Sequence, residues 1–161
     1  MQGCPGLRQR LVDCATKYAS ALNYKSAGTV EFLLDDETGE FFFLEMNTRL
    51  QVEHGITELC YGVDLVILML RQAEAERGGR VGIPTAELQS LQRSGPKGAA
   101  IEARIYAEDP YREFAPSPGI FQEVRWPEEE GVRVDTWIQS GQNITLYYGT
   151  SSVVTVHSNF G

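Results

Sequence analysis

Three features of these 161 residues predict an α+β fold. Residues 6 to 22 space their apolar side chains by three and four, residues 28 to 53 form two alternating runs around a turn, and the chain from Ala99 onward is β-rich. The predicted order is helix, β-hairpin, helix, then a β-rich second half. In linear terms, residues 1–80 make a first domain, 81–98 a linker and 99–161 a smaller subdomain.

The first helix carries Leu7, Leu11, Cys14, Ala15, Tyr18 and Leu22 on one stripe. Gly28 to Leu34 and Glu40 to Glu53 are apolar or alternating, and Asp35-Asp36-Glu37-Thr38-Gly39 between them is a turn sequence, so they pair as a hairpin. Gly62 breaks the pattern before a second helix over 63 to 76, with Val63, Val66, Ile67, Leu70 and Ala73 as its buried stripe; Gly78-Gly79 ends it. A short helix is expected at 85 to 92 inside the looser linker. Strands follow at Ile101 to Tyr106, Phe121 to Trp126 and Val132 to Ile138, and residues 143 to 157 supply two more. Phe41-Phe42-Phe43, Trp126 and Trp137 read as core aromatics.

Composition narrows the function classes. A net charge of -8 and the absence of any basic run argue against nucleic acid as a partner. No stretch approaches the roughly 18–20 apolar residues of a membrane span, and no signal-peptide core is visible, so a soluble cytoplasmic protein is expected. Cys4, Cys14 and Cys60 lack disulfide or zinc spacing and read as plain thiols of a reducing compartment. His54 and His157 have no nucleophile beside them in the pattern, and no glycine-rich phosphate loop occurs.

The chemistry concentrates in Leu44 to His54. On a strand, Glu45, Asn47, Arg49, Gln51 and Glu53 would line one surface, each about 6.5–7 Å from the next, with Leu44, Met46, Leu50 and Val52 behind them. A hairpin closing symmetrically about Thr38 places Glu31 opposite Glu45. Facing carboxylates repel, and a hard divalent cation resolves the repulsion: Mg2+ is commonly held by one or two carboxylates together with substrate phosphates, and Asn47 could add an amide oxygen. The competing reading pairs each acid with a basic side chain elsewhere. Arg49 offers a planar fork for a carboxylate or bicarbonate, and Glu53 could accept a proton from a bound acid; either could also serve as a surface ion pair. Arg104 shares a strand face with Glu102, where a simple ion pair is the alternative.

The string EMNTRLQVEHGITEL, with GTVEF before it and GVDLV after it, resembles the biotin carboxylase branch of the ATP-grasp enzymes, and AIEARIYAEDP followed by FAPSPG is similar to the start of that family's C-terminal subdomain. Within the family, VRVDTWIQSG and VEHGITE look closest to the urea carboxylase branch. The resemblance covers roughly residues 7 to 148 and implies the latter part of an ATP-grasp domain joined to a biotin carboxylase C-terminal subdomain. It further implies that Glu31, Glu45 and Asn47 bind Mg2+ or Mn2+ on the phosphates of ATP, that Arg49, Gln51 and the Val52 backbone hold bicarbonate, that Glu53 deprotonates it, and that Arg104 stabilises charge on the ureido oxygen of biotin presented by a carrier domain.

Two departures accompany the resemblance. The family's preceding domain, lid and nucleotide-clamping lysines have no counterpart in this chain, and Ala99 and the residues after Tyr147-Tyr148 differ from the family's text. The expectation is a carboxylase part that is inactive alone and is completed by an N-terminal half. The rival is a non-catalytic fragment or interaction module that associates with an intact carboxylase subunit.

Overall fold

The computed structural model describes residues 6–93, 95–145 and 150–158, and for 150–158 only the backbone. Cys4 and Tyr147-Tyr148 lie outside the described residues, as does the His157 side chain. The elements in order are α1 (Leu7–Ala21), β1 (Thr29–Leu34), β2 (Phe41–Asn47), α2 (His54–Tyr61), α3 (Leu65–Arg77), α4 (Thr85–Arg93), β3 (Ala99–Tyr106), β4 (Glu108–Asp109), β5 (Ala115–Pro116), β6 (Gly119–Ile120), β7 (Val132–Thr136), β8 (Asn143–Ile144) and β9 (Thr150–Ser158). This is the mixed α+β class, with small sheets. Contacts divide the chain into two units, one of Met1–Gln51 with Asp64–Thr85 and one of Val52–Val63 with Ala86–Gly161.

In the first unit the hairpin closes as the turn chemistry dictates. The Asp35 carboxylate accepts from the Glu37 and Thr38 amides at 2.9 and 3.0 Å, and Gly39 takes the left-handed conformation, φ 67°, that lets the chain reverse. Next to the turn the pairs are Leu34–Phe41, Leu33–Phe42 and Phe32–Phe43, one residue off a closure centred on Thr38, and a bulge between Glu31 and Phe32 then shifts the register and brings Glu31 opposite Glu45. The α1 helix lies along this hairpin: the Arg10 guanidinium sits 5.0 Å over the Phe41 ring, and the Tyr18 and Phe43 rings are 4.7 Å apart. Leu7 is buried, whereas Cys14, Tyr18 and Leu22 of the expected stripe are exposed.

The aromatic triplet is not all core. Phe42 is 56% exposed, with Leu33 and Leu44 beside it in the hairpin also exposed. The third helix differs in the same way: Val66, Ile67, Leu70 and Ala73 face out, while Leu65, Leu68, Met69, Gln72 and Ala75 turn inward. Its first six residues, LVILML, are apolar all round, so spacing alone could not choose the face. Asp64 caps it, accepting from the Ile67 amide at 2.8 Å.

The alternation from Glu45 to Glu53 does not make a continuous strand. β2 stops at Asn47, opposite Thr29 at the start of β1, because no partner backbone continues the ladder beyond that pair. Gly28 explains the tight closure there: a Cβ on it would lie 3.0 Å from both the Asn47 carbonyl oxygen and Tyr24 Cε1. Residues 48–53 are irregular, and Glu53 becomes the N-cap of α2, a helix absent from the sequence reading.

The second unit is built on a three-stranded antiparallel sheet in the order β3-β9-β7, on which α2 packs through β3 and β9. Cys60, Ile138 and Ile144 form its buried apolar centre. The expected strand Phe121 to Trp126 does not form; only Gly119–Ile120 pairs, with Asn143–Ile144, and the pairing ends with the Phe121 amide donating to the Gln142 carbonyl at 3.0 Å. Trp137 is 42% exposed, outside the core expected for it.

Candidate active site

The expected site residues fall in both units. Glu31, Glu45, Asn47, Arg49 and Gln51 belong to the first, and Val52, Glu53 and Arg104 to the second.

In the first unit the hairpin places two carboxylates directly across from one another, and side-chain amides gather on them. Asn47 Nδ2 donates to Glu31 Oε1 at 2.9 Å and to Glu45 Oε1 at 2.8 Å, and Gln51 Nε2 reaches Glu31 Oε1 at 3.4 Å. Asn47 is two residues beyond Glu45 on β2, and Gln51 comes back to the same carboxylate from the irregular segment. Four of the five residues therefore meet, although the strand that was to align them ends early. Arg49 does not join them: its described hydrogen bond runs from Nη1 to the Leu50 carbonyl at 3.3 Å.

The second unit holds an acid-guanidinium cluster. Arg104, on β3, donates from Nη2 to Glu53 Oε2 at 2.6 Å and from Nε to Glu102 Oε1 at 2.9 Å. Glu102, then Glu53, hold its ionisation above the usual arginine value, so the guanidinium is a permanent cation. Glu53 owes its place to the chain turning into α2 at this residue rather than to strand alternation. Val52 sits in the turn just before it, half-exposed.

Sequence reasoning missed the neighbouring group of Glu58, Arg133 and Asp135. Glu58, on α2, is a buried acid whose carboxylate receives Arg133 Nη1, and Arg133 Nε donates to Asp135 Oδ1 at 3.0 Å. Glu58 is the main cause of the raised ionisation of Arg133. The signal available was VRVDT, whose alternation puts Arg133 and Asp135 on one strand face, but nothing local names Glu58 as their partner.

The opposed carboxylates thus lie in the first unit and the paired guanidinium groups in the second. The model of the carbamoyl-phosphate synthase L chain ATP-binding domain matches residues 5–79, and the model of the biotin carboxylase C-terminal domain matches residues 102–158. The chain belongs to the biotin carboxylase family of ATP-grasp proteins. Within that family it is similar to urea carboxylases: it is 59% identical over 144 residues to a putative urea carboxylase of Emericella nidulans, covering 89% of this chain and 12% of that relative. The Kluyveromyces lactis urea carboxylase structure superposes with a TM-score of 0.83 at 41% identity, over 97% of this chain and 13% of that one. The biotin carboxylase domain of a thermophilic 2-oxoglutarate carboxylase, solved bound to bicarbonate, gives 0.82 at 37% identity, over 97% and 33% respectively. The chain thus spans about an eighth of the length of the urea carboxylases it matches.

Proposed function

We propose that this chain is part of a biotin-dependent carboxylase, which uses ATP and bicarbonate to carboxylate biotin, and that it supplies the metal-binding carboxylates, the base and the biotin-facing arginine. The observation carrying this reading is the opposition of Glu31 and Glu45 with Asn47 bonded to both. A pair of carboxylates is an incomplete oxygen donor set, which suits Mg2+ or Mn2+ sharing its shell with phosphates, and Asn47, whose amide nitrogen faces both acids, would turn its oxygen inward to join it; the described residues offer no cluster of three or more His, Cys, Asp or Glu that could hold a metal ion unaided. The bound ion would neutralise phosphoryl charge.

The remaining roles belong to side chains. Arg49 and Gln51, with the Val52 backbone, bind and orient bicarbonate; Glu53 takes its proton, creating the nucleophile for the γ-phosphoryl group of ATP. Arg104 stabilises negative charge on the ureido oxygen of biotin while its ring nitrogen accepts the carboxyl group. Glu53 Oε2 accepts from Arg104 Nη2 at 2.6 Å, so the base lies beside the arginine. Supplying the chain with the preceding half of a urea carboxylase and a biotinylated carrier should restore bicarbonate- and biotin-dependent ATP hydrolysis, and Glu53→Gln should remove it. No hydrolysis from two folded halves would overturn the reading.

A second reading, an interaction module for an intact carboxylase subunit, is favoured by the exposed apolar side chains of the hairpin (Leu33, Phe42, Leu44) and of α3 (Ile67, Leu70). Co-sedimentation with intact urea carboxylase tests it; independent sedimentation of the two would retire it.

A further inference from the structure

The sheet face beneath α2 carries a two-part pattern. Glu102 on β3 and Arg133 on β7 both pair with Thr155 of the middle strand, and Arg104 and Asp135 both pair with Val153. Residues opposite one another across a sheet share a face, so acid stands across from base in each row. The two arginines are used identically. Arg104 gives Nε to Glu102, two residues away in its own strand, and an Nη to Glu53; Arg133 gives Nε to Asp135, two residues away in its own strand, and an Nη to Glu58.

Spacing matches this double engagement. Glu53, just before α2, and Glu58, in its middle, are five residues apart, about 7.5 Å of helical rise, and β3 and β7 are two strand spacings apart, about 9.5 Å. Flexible side chains cover the difference. The pairs differ in burial: the side chains of Glu53 and Arg104 are 44% and 39% exposed, whereas that of Glu58 is 5% exposed. Exposed ion pairs hold little, but a buried carboxylate stripped of its partner is strongly disfavoured. His54, one turn before Glu58, lies 3.8 Å from the same carboxylate.

We propose that the pair of buried Glu58 and part-buried Arg133 is a positioning device that fixes α2 on the sheet and thereby sets the Glu53 carboxylate against Arg104. Neither Glu58 nor Arg133 touches a reacting atom; both act through Glu53. The pair that anchors the helix is separate from the pair that must exchange partners when substrate enters, so Glu53 can let go of Arg104 without α2 leaving the sheet. The consequence for turnover rests on the carboxylase reading, but the geometry does not.

The test uses the full chain with nitrogen-15 arginine labelling. Bonding to Glu53 hinders rotation of the Arg104 guanidinium, so its Nη signals are resolved in the native chain, and Glu53→Gln defines the averaged state. Glu58→Gln, of nearly the same shape, is expected to average the Arg104 Nη signals while the Nε signal, held by Glu102, stays put; Arg133→Lys, which keeps the charge, should restore part of the splitting relative to Arg133→Gln. Retention of native Nη signals in both folded Glu58→Gln and Arg133→Gln chains would overturn the proposal. With the completing half and biotin carrier added, Glu58→Gln should lower kcat roughly ten- to hundredfold with the KM for ATP unchanged. A native chain inactive in that assay would count against the carboxylase reading alone, since the guanidinium spectrum reports the positioning independently.

Discussion

Glu31 and Glu45 face one another across the hairpin, and a single amide nitrogen, Asn47 Nδ2, lies 2.9 Å from an oxygen of the first and 2.8 Å from an oxygen of the second. Like charges in directly opposed positions of a ladder destabilise it, so this pairing runs against the hairpin's own stability. The amide offsets part of the repulsion without neutralising either charge.

Removing one charge separates stability from binding. Glu45→Gln should leave the hairpin as stable or stabilise it by about 0.2–1 kcal/mol at low ionic strength. Mn2+ binding, followed by electron paramagnetic resonance of the free ion, should weaken sharply in the same variant. A large loss of stability measured by urea unfolding would mean that Glu45 is held by favourable pairing instead.

Gly28 controls how closely the end of β2 approaches. Because a Cβ would lie 3.0 Å from the Asn47 carbonyl oxygen, Gly28→Ala forces backbone to move and should cost about 1–3 kcal/mol. The same shift displaces Asn47, so Mn2+ affinity should fall alongside the urea midpoint.

The contact between α1 and the hairpin should carry measurable coupling. Tyr18 and Phe43, with ring centroids 4.7 Å apart, predict about 0.5–1.5 kcal/mol in a double-mutant cycle of Tyr18→Ala and Phe43→Ala. Strict additivity of the two single changes would show that the helix is held by other contacts.

Acid should loosen the hairpin turn. Bonds from the Thr38 and then the Glu37 amide hold the Asp35 carboxyl below the usual aspartate range. A depressed folded-state value means that the stabilisation is fully present above the unfolded value and is lost as pH falls through the folded one, so it fades from about pH 4 downward. The difference in melting temperature between the native chain and Asp35→Ala should therefore be present at neutral pH and shrink in that acid range. A difference that persists unchanged would show that the ionised Asp35 carboxylate is not its source.

Much of the local architecture was legible because it depends on neighbours in sequence. The turn Asp35 to Gly39 closes the hairpin through its own capping bonds, although the Glu31–Glu45 pairing also needs the bulge after Glu31, and the helices at 7–21 and 85–93 and the strand Ala99–Tyr106 fall close to their expected places. The string of residues carrying the family resemblance was likewise legible. What misled was alternation itself: Glu45 to Glu53 reads as a strand whether or not a partner backbone exists, and β1 supplies none past Thr29.

By itself, then, the chain's sequence determined the first helix, the hairpin and its turn, and membership of a family, since each rests on local spacing or on residue identity. Tertiary structure alone decided that a helix begins just after Glu53, that α3 turns Leu65 and Ala75 inward rather than Val66 and Leu70, and that Glu58 meets Arg133 from 75 positions away. The physical reason is the same in each case. A strand ends where its partner ends, an all-round apolar helix chooses its face by what it packs on, and an ion pair between distant positions exists only once the intervening chain has folded.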